Sequence, residues 1–264
     1  MPANVISGIG GAVSGHECVN LWKLARISEP AVAVCSASNG SVIRIPGLED
    51  WQGVFTGYGH TPAVLPGDLF QFIGATSEGK GASSVANGAI AEQVDINWDI
   101  EGGKIIDYAV YFACATGVIT FGAASASDTS VPNPSSARSC TLNLTGCEEL
   151  RKMKLTLMSK NPSYVTATTA GQRERVAGIK DAKFEAKIYT DDASFPTIAQ
   201  VTGLEFGVGG GLSWAMTSAI ITLTAPMLPL GGGLFEADIA GEFTGYSGGV
   251  EGTITTPAGA AWWP

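Results

Sequence analysis

The sequence predicts a mainly β protein of two tandem β-sandwich or barrel domains, each with a long hairpin and one short helix. Three observations predict it. Glycine (35 residues) and proline (13) are frequent while charged residues make up only 15%, the composition of many short elements joined by turns. Several segments alternate apolar and polar residues with the period of a strand. A long stretch of the chain also repeats itself 131 residues later.

The repeat fixes the organisation. "WKLARISEPAVAVCSASNGSVIRIPGLEDW" (residues 22–51) aligns without a gap on "MKLTLMSKNPSYVTATTAGQRERVAGIKDA" (residues 153–182). Lys23/Lys154, Leu24/Leu155, Ser28/Ser159, Val34/Val165, Gly40/Gly171, Arg44/Arg175, Gly47/Gly178 and Asp50/Asp181 are identical at that offset. The match fades through a variable loop, then returns with Gly102 against Gly233, Asp107 against Asp238 and Phe112 against Phe243. Five segments follow: an N-terminal arm (1–20), a first β domain (21–122), a linker or exposed loop (123–151), a second β domain (152–253) and a tail (254–264). The linker, "GAASASDTSVPNPSSARS" in its first part, is small, polar and interrupted by proline.

Within the first repeat, "AIAEQVDINWDI" (89–100) and "KIIDYAVYFACA" (104–115) alternate around a Glu101-Gly-Gly turn, which predicts a hairpin of long strands. Its counterpart is "SAIITLTAPML", a "PLGGG" turn and "LFEADIAGEFTG". "AVAVCSAS" and "VIRIPG" are further strands, and "PGLEDW" is expected to be a turn leading into one. Short helices are expected around residues 62–72 and 197–206. Residues 206–235 carry no charge but contain seven glycines and two prolines, so they are expected to form hairpin strands, not a bilayer helix. The tail holds two tryptophans, Trp262 and Trp263, costly to leave in water and expected to pack on a neighbour or on the chain itself.

Charge excludes one class of partner. Acids outnumber bases 24 to 15, and neither Lys nor Arg occurs after Lys187, whereas Asp191, Asp192, Glu205, Glu236, Asp238, Glu242 and Glu251 do. Phosphate contacts need cations, so specific nucleic-acid binding is not expected. The first residues, "MPANVISGIGGAVSG", lack a basic region and a long apolar run, so no secretory signal is expected. Five cysteines (Cys18, Cys35, Cys114, Cys140, Cys147) without a CxxC pair are expected to be free thiols, with Cys140 and Cys147 near enough in sequence for a disulfide.

No enzyme constellation emerges, and no catalytic, cofactor-binding or metal-ligating residue is assigned. Gly245-Tyr-Ser-Gly-Gly fits G-x-S-x-G around Ser247, but no helix is expected after it and both histidines, His16 and His60, lie upstream. "GVGGGLS" and "GIGGAVSG" miss the phosphate-binding fingerprints. Two histidines and scattered cysteines offer no zinc spacing. Asp95 and Asp99 share a strand face and are expected to form a solvated acidic surface, because Pro226 and Leu230 replace them at the repeat offset.

The order of motifs in the first repeat resembles the tail tube (major tail) proteins of long-tailed bacteriophages. The residues are "GLEDWQGVFTGY" (47–58), "PGDLFQFIG" (66–74) and "AIAEQVDINWDIEGGKIIDYAVYFACATG" (89–117). The likeness weakens in the second repeat, where Trp51 becomes Ala182 and Gly53 becomes Phe184. The resemblance implies tube-type domains that join their hairpins into a ring around a channel. A chain carrying two would form the ring from three copies, a homotrimer of pseudo-sixfold symmetry that stacks into a tube. It further implies other tail proteins as partners, DNA passing through an acid-rich lumen without specific binding, no membrane, and a place in the virion after assembly in the host cytoplasm. The N-terminal arm and linker would then contact stacked rings. A baseplate hub or distal-tail protein and a capsid decoration protein are rival structural readings. From another class, a tandem carbohydrate- or surface-binding module would use Trp51, Trp98, Trp262 and Trp263 as stacking platforms.

Overall fold

The computed structural model describes residues 11–16, 18–34, 41–127, 136–145, 147, 149–169, 171–190, 195–227, 235–247 and 250–263. The expected PLGGG turn, residues 35–40 with Cys35 among them, and residues 248–249 lie outside them.

Nine longer strands carry the architecture: β1 (Val19–Ala33), β2 (Ile43–Tyr58), β3 (Ala89–Asp99), β4 (Asp107–Cys114), β5 (Glu149–Lys160), β6 (Ile179–Thr190), β7 (Gln200–Gly209), β8 (Leu212–Met227) and β9 (Phe235–Phe243). They belong to one antiparallel 13-stranded sheet, in the order Thr141–Leu142, β7, β8, β9, β6, β5, β3, β4, β2, β1. Short strands attach at its sides: Leu69–Phe70 on β3, Ile254–Thr255 on β8 and Ala261–Trp263 on Ile254–Thr255. A separate four-stranded sheet (Ala12–Val13, Ile73–Ala75, Lys80–Ser83, Thr120–Ala123) forms beside the first repeat. The protein is mainly β, as the composition and periodicity predict.

Alternation places one face of the large sheet in the core. Trp51 and Phe55 on β2, Val94, Ile96 and Trp98 on β3, Leu155 and Leu157 on β5, and Phe184 and Ile188 on β6 are all buried. In the first repeat this face is closed by Phe72, whose ring stacks on Phe112 at 4.7 Å. In the second, the sheet curls over itself: Phe206 on β7 meets Phe184 on β6 at 5.3 Å although β8 and β9 lie between those strands. A flat sheet would hold them roughly 14 Å apart at about 4.8 Å per strand.

The first hairpin of each repeat has the same register at the 131-residue offset. Leu24 faces Gly53 as Leu155 faces Phe184, and Val32 faces Arg44 as Ser163 faces Arg175. The second hairpin corrects the sequence alignment. Each has one bulge, between Ala91 and Gln93 and between Ile221 and Leu223. Matching the bulges sets Gln93 against Leu223, an offset of 130, and Phe112 against Gly241, an offset of 129. Phe243 therefore answers to Cys114, Glu236 to Asp107, and Ala225 to Asp95. Single-residue differences in the connections shift the second hairpin, and a constant offset hides them.

Other expectations are revised. Neither 62–72 nor 197–206 is helical: the first holds turns and Leu69–Phe70, and the second runs into β7, where alternating burial of Leu204, Phe206 and Val208 favours a strand. Only two three-residue 3-10 turns (Ala137–Ser139, Ala167–Thr169) occur among the described residues. Pro46-Gly47 is no turn but lies inside β2. A Cβ on Gly47 would run into the Glu29 carbonyl, and one on Gly178 into the equivalent Lys160 carbonyl, so both glycines permit a close strand crossing. Parts of the arm and linker pack within the chain: Val13 and His16 are buried, as are Ala137, Cys140, Leu142 and Cys147, while residues 123, 125, 127, 141, 143 and 145 are exposed.

Candidate assembly interface

The two repeats meet edge to edge. β5, the first strand of the second repeat, pairs with β3, the third strand of the first, over Lys152↔Asp99 to Met158↔Gln93. On the polar face, Lys154 Nζ lies 2.9 Å from Asp95 and Lys152 Nζ 3.9 Å from Asp99. Asp95 also accepts from Gln93 Nε2 (2.9 Å) and is buried, so it is not part of a solvated acidic face. Asp99 takes a second ion pair from Lys104 (2.8 Å) and the Gly102 amide, which together hold its carboxyl below its ordinary pKa. At the seam's end the Arg151 guanidinium joins Glu101 (2.6 Å) of the first repeat to Glu236 (2.7 Å) of the second and stacks over Tyr189.

The polar face is consequently interleaved in charge. Asp238 on β9 pairs with Lys187 on β6 (3.1 Å), and Glu242 lies opposite Lys183 in register. The acids of the strands late in the chain thus sit beside lysines from earlier ones.

The second repeat also throws an arm across the first. Between β5 and β6, a two-stranded hairpin (Ser163–Tyr164 with Glu174–Arg175) leads back over β2. Glu49 N–H donates to Gly171 O (2.8 Å), Arg173 N–H to Glu49 O (2.8 Å), and Arg175 N–H to Ala115 O (3.1 Å). The Arg175 guanidinium grips Asp50 in a fork, Nη1 to Oδ1 at 2.8 Å and Nη2 to Oδ2 at 2.7 Å. Its Nε faces Glu92 (3.2 Å) and its Nη1 also donates to the Cys114 carbonyl (3.2 Å). Asp50 accepts the Trp51 amide at 2.8 Å, so its carboxylate is oriented before the arginine arrives. Both side chains are nearly buried, and a planar fork on a carboxylate is the strongest form of such a pair. Burial raises the Glu92 pKa against the pull of Arg175.

Two stretches of strand edge are left open, one at the end of the sheet and one along β8 beyond the reach of β7. Among the described residues β1 pairs only with β2, and residues 223–227 of β8 ladder only with β9. The Thr224 hydroxyl donates to Pro196 O (2.7 Å), so residue 196 lies beside this edge without extending the ladder. Exposed apolar side chains mark both edges: Leu21 (45% exposed) and Ile27 (39%) on β1, Leu223 (46%) and Met227 (54%) on β8.

Residues weighed for other chemistry are dispersed. His16 is buried in contact with the Phe55 ring (4.3 Å) and close to Phe70, and burial lowers its pKa to about 4. His60 is partly buried, its Nδ1 2.8 Å from the Thr61 hydroxyl. Ser247 lies in the short strand Tyr246–Ser247, paired with Val250–Glu251. Cys18, Cys114, Cys140 and Cys147 are in no disulfide, so Cys140 and Cys147 do not form the one their spacing permits. Among the described residues no group of three His, Cys, Asp or Glu is arranged to hold a metal ion. Trp51, Trp98 and Trp262 are buried, with the indole N–H of Trp51 on Gly117 O and that of Trp262 on Pro66 O, so none of the three is a stacking platform for sugar.

No protein-family model matches the chain, and no curated protein matches its sequence.

Proposed function

We propose that the chain is a structural, non-enzymatic ring-forming protein of the bacteriophage tail-tube type, closing with two further copies into a pseudo-hexameric ring. Rings stacked on one another make a conduit for DNA in the virion tail. The observation that carries this reading is the head-to-tail seam. The chain already contains one junction between consecutive tube-like units, β5 on β3, and its open edges are the corresponding strands: β1 answers to β5, and β8 to β3. A unit that joins its copy by a fixed operation joins the next chain by the same operation, and a heterologous contact of this kind gives a ring when the rotation closes.

Transferring the seam register to the open edges sets Ile27 against Leu223, Arg26 against Thr224, Ala25 against Ala225, Leu24 against Pro226 and Lys23 against Met227 of the neighbouring copy. The Lys154–Asp95 pair of the seam has no intermolecular equivalent, since Lys23 keeps the lysine but Ala225 stands for Asp95, and the apolar Leu223 stands for Gln93. Such an edge is an aggregation hazard in a monomer and an assembly device in a ring. Pro226, where the seam has Ile96, has no N–H to give, so this ladder has one donor fewer. The interleaved polar face, with few unpaired lysines, suits a channel wall along which a polyanion slides.

Cysteines at Ala25 and Ala225 test the register. Directly opposed strand residues have Cβ atoms about 5 Å apart. Oxidised A25C/A225C is expected to give a ladder that ends at three covalently linked chains, with neither single variant crosslinking. Failure of the double variant to crosslink under conditions where the wild type self-associates would reject this register.

A further inference from the structure

We propose that Arg44 of one copy clamps Asp181 of the next, by the fork that Arg175 and Asp50 form within the chain. The inference rests on the head-to-tail reading above and deepens it by naming a specificity contact.

Four observations carry it. First, Arg44 and Arg175 occupy the same register position in the two arms, opposite Val32 and Ser163 respectively. Second, Asp50 and Asp181 occupy the same position in the two receiving strands, opposite Ile27 and Met158. Third, the two aspartates share one local conformation: Asp181 Oδ1 accepts the Ala182 amide at 2.9 Å as Asp50 Oδ1 accepts that of Trp51 at 2.8 Å. Fourth, the second pair is open where the first is closed. Arg175 is 11% exposed in its side chain and held by Asp50, whereas Arg44 is exposed and makes no ion pair among the described residues. Asp181 is 40% exposed, and its one cation among the described residues is Lys160 at 4.0 Å. The arm of the first repeat, between β1 and β2, also carries exposed Val32, Val42, Ile43 and Ile45, which nothing among the described residues covers.

Topology supplies the direction. Where β5 joins β3, the arm that follows β5 lands on Asp50 of the repeat containing β3. When β1 of a neighbour joins β8, the arm that follows β1 lands on the repeat containing β8, whose equivalent carboxylate is Asp181. Glu92, the second acid beside Arg175, answers to Thr222, so the intermolecular fork is one arginine on one carboxylate. That makes it suited to charge exchange.

The test is sedimentation velocity of the full chain over a concentration series, for wild type, R44E, D181K, D181N and R44E/D181K. D181N keeps an acceptor for the Ala182 amide and removes only the charge. Breaking a desolvated charge pair is expected to weaken self-association roughly 30-fold or more in each single variant. The double variant is expected to recover most of it, and thermal melting temperatures of the dissociated chains are expected to match wild type. Single variants that associate like wild type, a double variant no better than the singles, or an R44E chain that melts early because Arg44 serves its own fold would each overturn the clamp and leave the ring reading standing. A wild-type chain that stays monomeric throughout would overturn the ring reading and the clamp together.

Discussion

Phe112 lies over Gly53, its register partner across β4 and β2, and the second repeat makes the same contact with the residues exchanged. There Phe184 on β6 lies over Gly241 on β9. A Cβ on either glycine would sit within the facing ring. Each phenylalanine is buried and meets a second ring, Phe72 or Phe206. One aromatic per strand pair fills the same volume in both repeats, and either strand supplies it.

Alanine at Gly53 or Gly241 is expected to destabilise by about 1–3 kcal/mol, since the ring has no free volume to move into. Exchanging both partners, as in F184G/G241F, is expected to cost less than the sum of the two single changes. Chemical denaturation of the four proteins measures the coupling.

Acid is expected to weaken the fold through His16. Its pKa is about 4 in the folded chain and near 6.5 when unfolded, so the unfolded state binds more protons between those values. Stability attributable to His16 is present above about pH 6.5, falls as pH drops towards 4 and changes no further below it, a loss of roughly 3 kcal/mol. H16L is expected to flatten that part of the difference between denaturation curves collected from pH 7 to pH 4.

Removing the internal fork should act on stability. R175M leaves the nearly buried Asp50 carboxylate with only the more distant Arg173 (3.7 Å) among its described cations, and is expected to cost about 2–3 kcal/mol in urea denaturation. Adding D50N should recover part of the loss, because the uncompensated charge then disappears.

The buried thiols should be inert in the native state. Burial pushes Cys114, Cys140 and Cys147 up to about 12, so the reactive thiolate is scarce at pH 8. Mass mapping after iodoacetamide treatment is expected to show modification at these three positions only once denaturant is added.

Much of this was legible in the sequence. The identities Arg44/Arg175, Gly47/Gly178 and Asp50/Asp181 locate the repeated hairpin in its observed register, because register there depends on local spacing. A constant offset misplaces the second hairpin by one and two residues, since its connections differ in length and the exchanged Gly–Phe pair removes the strongest signal. The loss of Gly53 at Phe184 reads as divergence along the chain and as conservation of volume across the strands. The seam was invisible for another reason. Lys154 and Asp95, or Arg175 and Asp50, are joined by strand pairing between repeats, and no local periodicity reports which edges meet. Asp95 and Asp99 consequently read as a solvated surface, although Asp95 is buried under a lysine from the second repeat.

The most direct test of the central claim is negative-stain electron microscopy of the purified full-length chain at high concentration. The account predicts rings with a central hole a few nanometres wide, each of three chains with six similar lobes, and tubes where the rings stack. Closed rings that never stack would favour a hub or distal-tail role over a tube. A strictly monomeric protein with no rings at any concentration would contradict the account.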